Sequence, residues 1–72
     1  MIVKQEANMQ PHQQRVVTEY EELLAKTLAL GSFFDNPIFA KLDAAERDRL
    51  ERQWKLMQQY GQVLSERIAA FK

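Results

Sequence analysis

A chain of 72 residues has room for one small domain, and its 46% apolar content is ordinary for a folded protein and too high for a disordered one. Ten Lys and Arg balance ten Asp and Glu, which excludes the basic footprint of a nucleic-acid-binding domain and the polybasic face of a membrane-surface helix. Cysteine is absent, so a disulfide framework, a thiolate zinc site and a cysteine nucleophile are excluded too. No apolar run approaches the ~20 residues that span a bilayer. The segment 1–8 shows neither the basic start nor the apolar stretch of a secretory signal, so the expected location is cytoplasmic.

Residues 1–8 read as an N-terminal extension without a clear period. The helical hairpin is expected over residues 9–72. Pro11 fits the first turn of a helix, where a missing N–H costs nothing. Apolar residues then recur at Val16, Tyr20, Leu23, Thr27 and Leu30, and Gly31 follows where a terminating glycine belongs. The first helix is therefore expected over about residues 10–30. A connector follows over 31–42, with Asn36 capping a single helical turn that opens at Pro37. The second helix is expected over about 44–71. It opens on Asp43-Ala44-Ala45-Glu46, which has capping-box spacing. Its apolar residues Leu50, Trp54, Met57, Leu64, Ile68 and Phe71, with Gly61 among them, repeat every seven, as in a coiled-coil seam. Spacing of i,i+4 suggests ion pairs Arg15–Glu19, Glu22–Lys26, Asp43–Arg47, Asp48–Arg52 and Glu51–Lys55, each contributing about 0.3 kcal/mol. No stretch alternates at period two long enough to argue a strand.

Both apolar stripes are wider than one seam requires. Leu24 and Leu28 extend the first and Leu56 and Val63 the second, with Tyr60 between that flank and the seam. A lone hairpin would leave these flanks wet, and a core this small supplies no more than ~3–5 kcal/mol. Burial of Leu24, Leu28, Leu56 and Val63 between protomers is the expectation. A homo-oligomer follows.

Catalytic chemistry finds little support. His12 is the only histidine, with no second His or Cys to complete a metal site and no oriented nucleophile beside it. No phosphate-binding glycine loop, G-x-S-x-G or H-E-x-x-H occurs. Neither an enzyme nor a cofactor is expected. Gly61 costs ~1 kcal/mol mid-helix, and antiparallel pairing would offset this by seating the Tyr20 ring there, or else a ligand approaches the backbone. The same pairing sets Arg15 level with Arg67. With Tyr60 and His12 nearby, these two guanidiniums could grip an anionic planar ligand. The competing reading pairs Arg15 with Glu19, lets Arg67 lie along the surface and makes Tyr60 an interface aromatic. Trp54 is read as core.

Pro11-His12-Gln13-Gln14-Arg15-Val16-Val17 with Glu19, then Pro37-Ile38-Phe39 leading to Leu42, form one part of a wider pattern. It continues through Arg49-Leu50-Glu51-Arg52-Gln53, Met57, Tyr60 and Leu64-Ser65-Glu66-Arg67-Ile68-Ala69-Ala70-Phe71. From residue 9 to 71 the chain resembles short proteins of tailed phages and enterobacterial prophages described as relatives of a crAss-like phage protein. Trp54 departs from that pattern, where a smaller residue is expected. The resemblance implies phage origin and a helical hairpin, without a mechanism. There is also an architectural likeness, carried by no motif, to phage proteins that sequester nucleotide immune signals between protomers.

The sequence thus leads to an all-α, antiparallel two-helix hairpin with a short connecting helical turn, assembled as a homo-oligomer. Its expected function is counter-defence: sequestering a cyclic nucleotide or ADP-ribose-derived signal through Arg15, Tyr60, Arg67 and His12, in an infected or lysogenic host. The alternative is an interaction module that docks a host defence protein or a phage protein on an apolar helix face. Neither direct DNA binding nor membrane association is expected.

Overall fold

The computed structural model describes residues 9–71, and the expected extension over 1–8 lies outside them. Three helices follow in order: α1 Pro11–Phe33, α2 Pro37–Lys41 and α3 Ala44–Ala69. Among the described residues no strand occurs.

Two of the three helix starts are marked by their side chains. At the head of α1, Pro11 occupies the first turn and the Gln10 N–H donates to Gln13 Oε1 at 2.9 Å. Asn36 caps α2, its Oδ1 accepting from the Ile38 N–H at 2.8 Å. Asp43 precedes α3 but its side chain makes no cap hydrogen bond, contrary to the expected capping box. Glu46 is engaged elsewhere, receiving Nε and Nη2 of Arg49 at 2.9 Å. Of the five expected i,i+4 ion pairs, only Asp48–Arg52 forms, at 3.3 Å. The others would have to immobilise two long exposed side chains for little Coulomb gain in water.

The helix ends differ by two or three residues from expectation. α1 runs through Gly31 to Phe33 and no glycine takes a positive φ, so Gly31 is not a terminating glycine. α3 stops at Ala69 rather than 71, its last turn tightening as the Ala70 N–H meets the carbonyls of Glu66 and Arg67.

Two contacts fix how α1 and α3 pair. Leu23 Cδ2 lies 3.7 Å from where a Cβ on Gly61 would stand, and Trp54 lies against Gly31. Residue numbers fall on one helix as they rise on the other, so the pair is antiparallel. Leu23, not Tyr20, is therefore the neighbour of Gly61, about one helical turn from the expected register. Trp54 accounts for the shift. Its Nε1 donates to the Thr27 carbonyl at 3.2 Å, and its ring meets Phe34 edge-on at 5.6 Å. Phe39 in turn packs edge-on against Phe34 at 5.0 Å and Phe33 at 5.9 Å, closing the connector end with aromatic rings. Arg47 Nη1 reaches the Ala40 carbonyl at 3.4 Å, joining α3 to α2.

The core between the long helices is thin. Val16 and Leu64 are its buried apolar residues, and Thr27, buried further along α1, satisfies its hydroxyl on the Leu23 carbonyl at 2.7 Å. The molecule measures 48 × 20 × 15 Å. A thickness of 15 Å is that of a single layer of helices about 10–12 Å across, so among the described residues no second layer covers either broad face. Leu24, Leu28, Leu56, Tyr60 and Val63 remain 44–64% exposed in the single chain.

Candidate functional site

A groove of about 670 Å³ runs along one broad face of the hairpin. Its walls are two matching rows at helical spacing: Leu24, Leu28 and Gly31 on α1, and Gln58, Gln62 and Ser65 on α3. Tyr20, Leu23, Trp54 and Met57 form its floor and ends. Asp35 brings the only formal charge, and no Lys or Arg lines it. The groove thus offers apolar surface, aromatic edges, amides and hydroxyls. It cannot neutralise a phosphate from its own residues.

The candidate ligand residues lie elsewhere. At about 100° per residue, Leu56, Tyr60, Val63 and Arg67 fall on the side of α3 turned away from Gln58, Gln62 and Ser65. Arg15 falls on the corresponding side of α1, in a shallow hollow beside Glu19 and Glu22. Continuing the Leu23–Gly61 register sets Arg15 beside Ala69 and Arg67 beside Val17. The two arginines therefore sit at the same end, on the same broad face, offset by about two residues or roughly 3 Å along the axis. Both are exposed, and neither has an ion-pair partner among the described residues. The expected competing pair Arg15–Glu19 does not form, whereas Glu46–Arg49 and Asp48–Arg52 do. Tyr60 lies on this face about two turns from Arg67, toward the connector. His12 is exposed in the first turn of α1, at the same end as the arginines.

The candidate interface residues divide between the faces. Leu24 and Leu28 belong to the groove, and Leu56 and Val63 to the opposite side. What the sequence reading missed was the groove. Its trace is present as the spacing 24, 28, 31 and 58, 62, 65, but the second row is polar and looks like an ordinary solvated face. Trp54, expected in the core, is half-buried: its indole packs across the two long helices and against Phe34, and it also lines the groove.

Among the described residues no helix is long and apolar enough to cross a membrane. No solved structure matches the chain at a significant level. It is similar to the uncharacterized 7.5 kDa protein in the denB-rIIB intergenic region of Enterobacteria phage T4, with 38% identity over 64 residues, 89% of this chain and 100% of the relative. Phage kinship agrees with the resemblance drawn from the sequence, while neither comparison bears on a relation to a crAss-like phage protein. The Sequestin family model matches residues 10–70, from the capping Gln10 of α1 to the residue closing α3. With both long helices and the connector inside that match, the chain belongs to the Sequestin family.

Proposed function

We propose that this chain is a non-enzymatic phage accessory protein that self-associates and sequesters an anionic, nucleotide-type signal of the host's defence. The observation that carries the reading is the pair Arg15 and Arg67, exposed, without an ion-pair partner among the described residues and nearly level at one end of one face. Guanidiniums that form no ion pair can turn to bidentate contact with phosphate, each such contact contributing about 1.5–3 kcal/mol, although Glu19 and Glu22 share the hollow with Arg15. Tyr60 on the same face supplies an aromatic surface for a base, and His12 a further polar group at the same end. Self-association would let arginines of neighbouring copies add to the same phosphates. The family's name points the same way, since sequestration needs binding without turnover.

Cyclic dinucleotides, cyclic trinucleotides and ADP-ribose derivatives are the ligand classes that match a pair of cations beside an aromatic ring. Location in the cytoplasm of an infected or lysogenic bacterium belongs to the same reading, as does the absence of a cofactor. Native mass spectrometry of the protein recovered from defence-active cells tests it. The expected result is an oligomer carrying a small anionic ligand that Arg15→Ala releases. A bare monomer would oppose it.

One observation favours the second reading, an interaction module. Leu24 and Leu28, one turn apart on the groove's wall, are 44% and 64% exposed and give that wall an uncovered apolar edge. In that reading an apolar face docks a host defence protein or a phage protein as a helix in a groove. Co-purification of one stoichiometric protein, with no small ligand, is what it predicts.

A further inference from the structure

The two exposed apolar flanks point in opposite directions. Leu24 and Leu28 rim a concave groove, while Leu56, Tyr60 and Val63 stand out as a ridge on the other broad face. An assembly closed by one two-fold interface buries one of these surfaces and leaves the other in water. We infer that the ridge of one copy seats in the groove of the next, a head-to-tail contact between unlike faces. This rests on the self-association in the proposed function; it takes Tyr60 into the contact, so in such an assembly a ligand would meet Arg15, Arg67 and His12 without that ring.

Shape argues for unlike faces. Two grooves set face to face would bring hollow against hollow, whereas protein interfaces pack as densely as interiors. The ridge is the complementary form. Leu56 to Val63 spans seven residues, about 10 Å along the helix, and the groove wall from Trp54 to Ser65 spans about 16 Å. The seam-side residue of the ridge is aromatic and its two ends are branched aliphatics, the anchor pattern of a helix laid in a groove.

Charge agrees with shape. The groove's formal charge is the carboxylate of Asp35, at the connector end. The ridge is flanked by arginine at both ends: Arg49 about two turns before Leu56 and Arg67 about one turn after Val63. Arg49 is held by Glu46, so the arginine without an ion-pair partner among the described residues is Arg67, which approaches Asp35 when the Val63 end of the ridge lies toward the next copy's connector. Layer thickness agrees as well. A hairpin 15 Å thick lacks the second layer that stable domains have, and another copy supplies one to each face.

Two double variants test the contact by mixing. Leu24→Glu with Leu28→Glu blocks the groove and keeps the ridge; Leu56→Lys with Val63→Glu blocks the ridge and keeps the groove. Each should be monomeric alone by analytical ultracentrifugation at about 10 µM, and an equimolar mixture should form a heterodimer. If either is unfolded alone, recovery of helicity on mixing, read by circular dichroism, is the equivalent result. Like-to-like pairing predicts the reverse, a homodimer from either variant and nothing new on mixing, and would overturn the inference. So would a mixture that stays monomeric or unfolded, or a monomeric wild-type protein at the same concentration. The milder pair Leu28→Gln and Val63→Gln repeats the test with less charge. All measurements are made without nucleotide, so failure here is separate from failure to bind a signal.

Discussion

Trp54 Nε1 donates to the main-chain carbonyl of Thr27 at 3.2 Å, across the two long helices, and the same ring lies against Gly31 one turn further along α1. A Cβ at position 31 would stand 3.2 Å from Nε1. The indole is held by this hydrogen bond and by Phe34 edge-on at 5.6 Å, so it has little freedom to retreat. Glycine at 31 is thus needed for close approach, and Trp54 sets the register of the hairpin.

The two glycines should therefore respond oppositely to alanine. Gly61→Ala meets Leu23 at an ordinary 3.7 Å and gains helix propensity, so it should stabilise by about 0.5–1 kcal/mol. Gly31→Ala gains the same propensity but presses on the indole and should end at or below wild-type stability. Thermal denaturation at a fixed protein concentration separates them. In a domain this small, ~1 kcal/mol moves Tm by roughly 4–8 °C.

Trp54→Phe keeps an aromatic ring but removes the donor to Thr27, and should cost about 1–2 kcal/mol. Trp54→Ala also opens a cavity between Phe34 and Gly31 and should cost about 3–5 kcal/mol. Urea denaturation followed by circular dichroism gives both values. Equal losses would mean that the hydrogen bond carries the whole effect.

Surface ion pairs should matter little. Asp48 and Arg52 are more than two-thirds exposed, so Arg52→Ala should change stability by less than about 0.5 kcal/mol, and added salt should not magnify the change. The check is the Tm difference between wild type and variant in 50 mM and 500 mM salt, both conditions being chosen for screening contrast.

Much of the fold is legible in the sequence, and particular residues show where legibility stops. Pro11, Asn36 and Pro37 mark helix starts because their constraints are local. The seam Val16, Leu23, Thr27, Leu64 is legible because burial imposes a helical period. Gly31 was misread because a glycine at a helix end and one beneath a ring look alike until the ring is placed. The register then slipped by a turn, seating Tyr20 instead of Leu23 at Gly61. The capping box at Asp43 failed because Arg49 competes for Glu46, a partner choice that spacing cannot rank. Of the candidate site, the level placement of Arg15 and Arg67 was legible from pairing alone, to within about two residues. The division of the apolar flanks between opposite faces was not, since it depends on which side of each helix meets the other.

If exposed Leu24, Leu28, Leu56 and Val63 are covered by other copies, stability should depend on concentration. Tm should rise measurably between 2 µM and 200 µM protein, concentrations chosen to bracket ~10 µM. Leu28→Glu should flatten that dependence. A Tm independent of concentration would mean that the hairpin stands alone.

The central claim, sequestration through paired guanidiniums, is tested most directly by calorimetric titration of the wild-type protein and Arg15→Ala with cyclic dinucleotides, cyclic trinucleotides and ADP-ribose derivatives. The account predicts binding heat with at least one of these. Arg15→Ala should then weaken affinity by one to two orders of magnitude, Arg15→Lys should restore part of it, and the assembly should stay intact. No heat with any ligand from a folded, assembled wild-type protein, or equal affinity in Arg15→Ala, would contradict it.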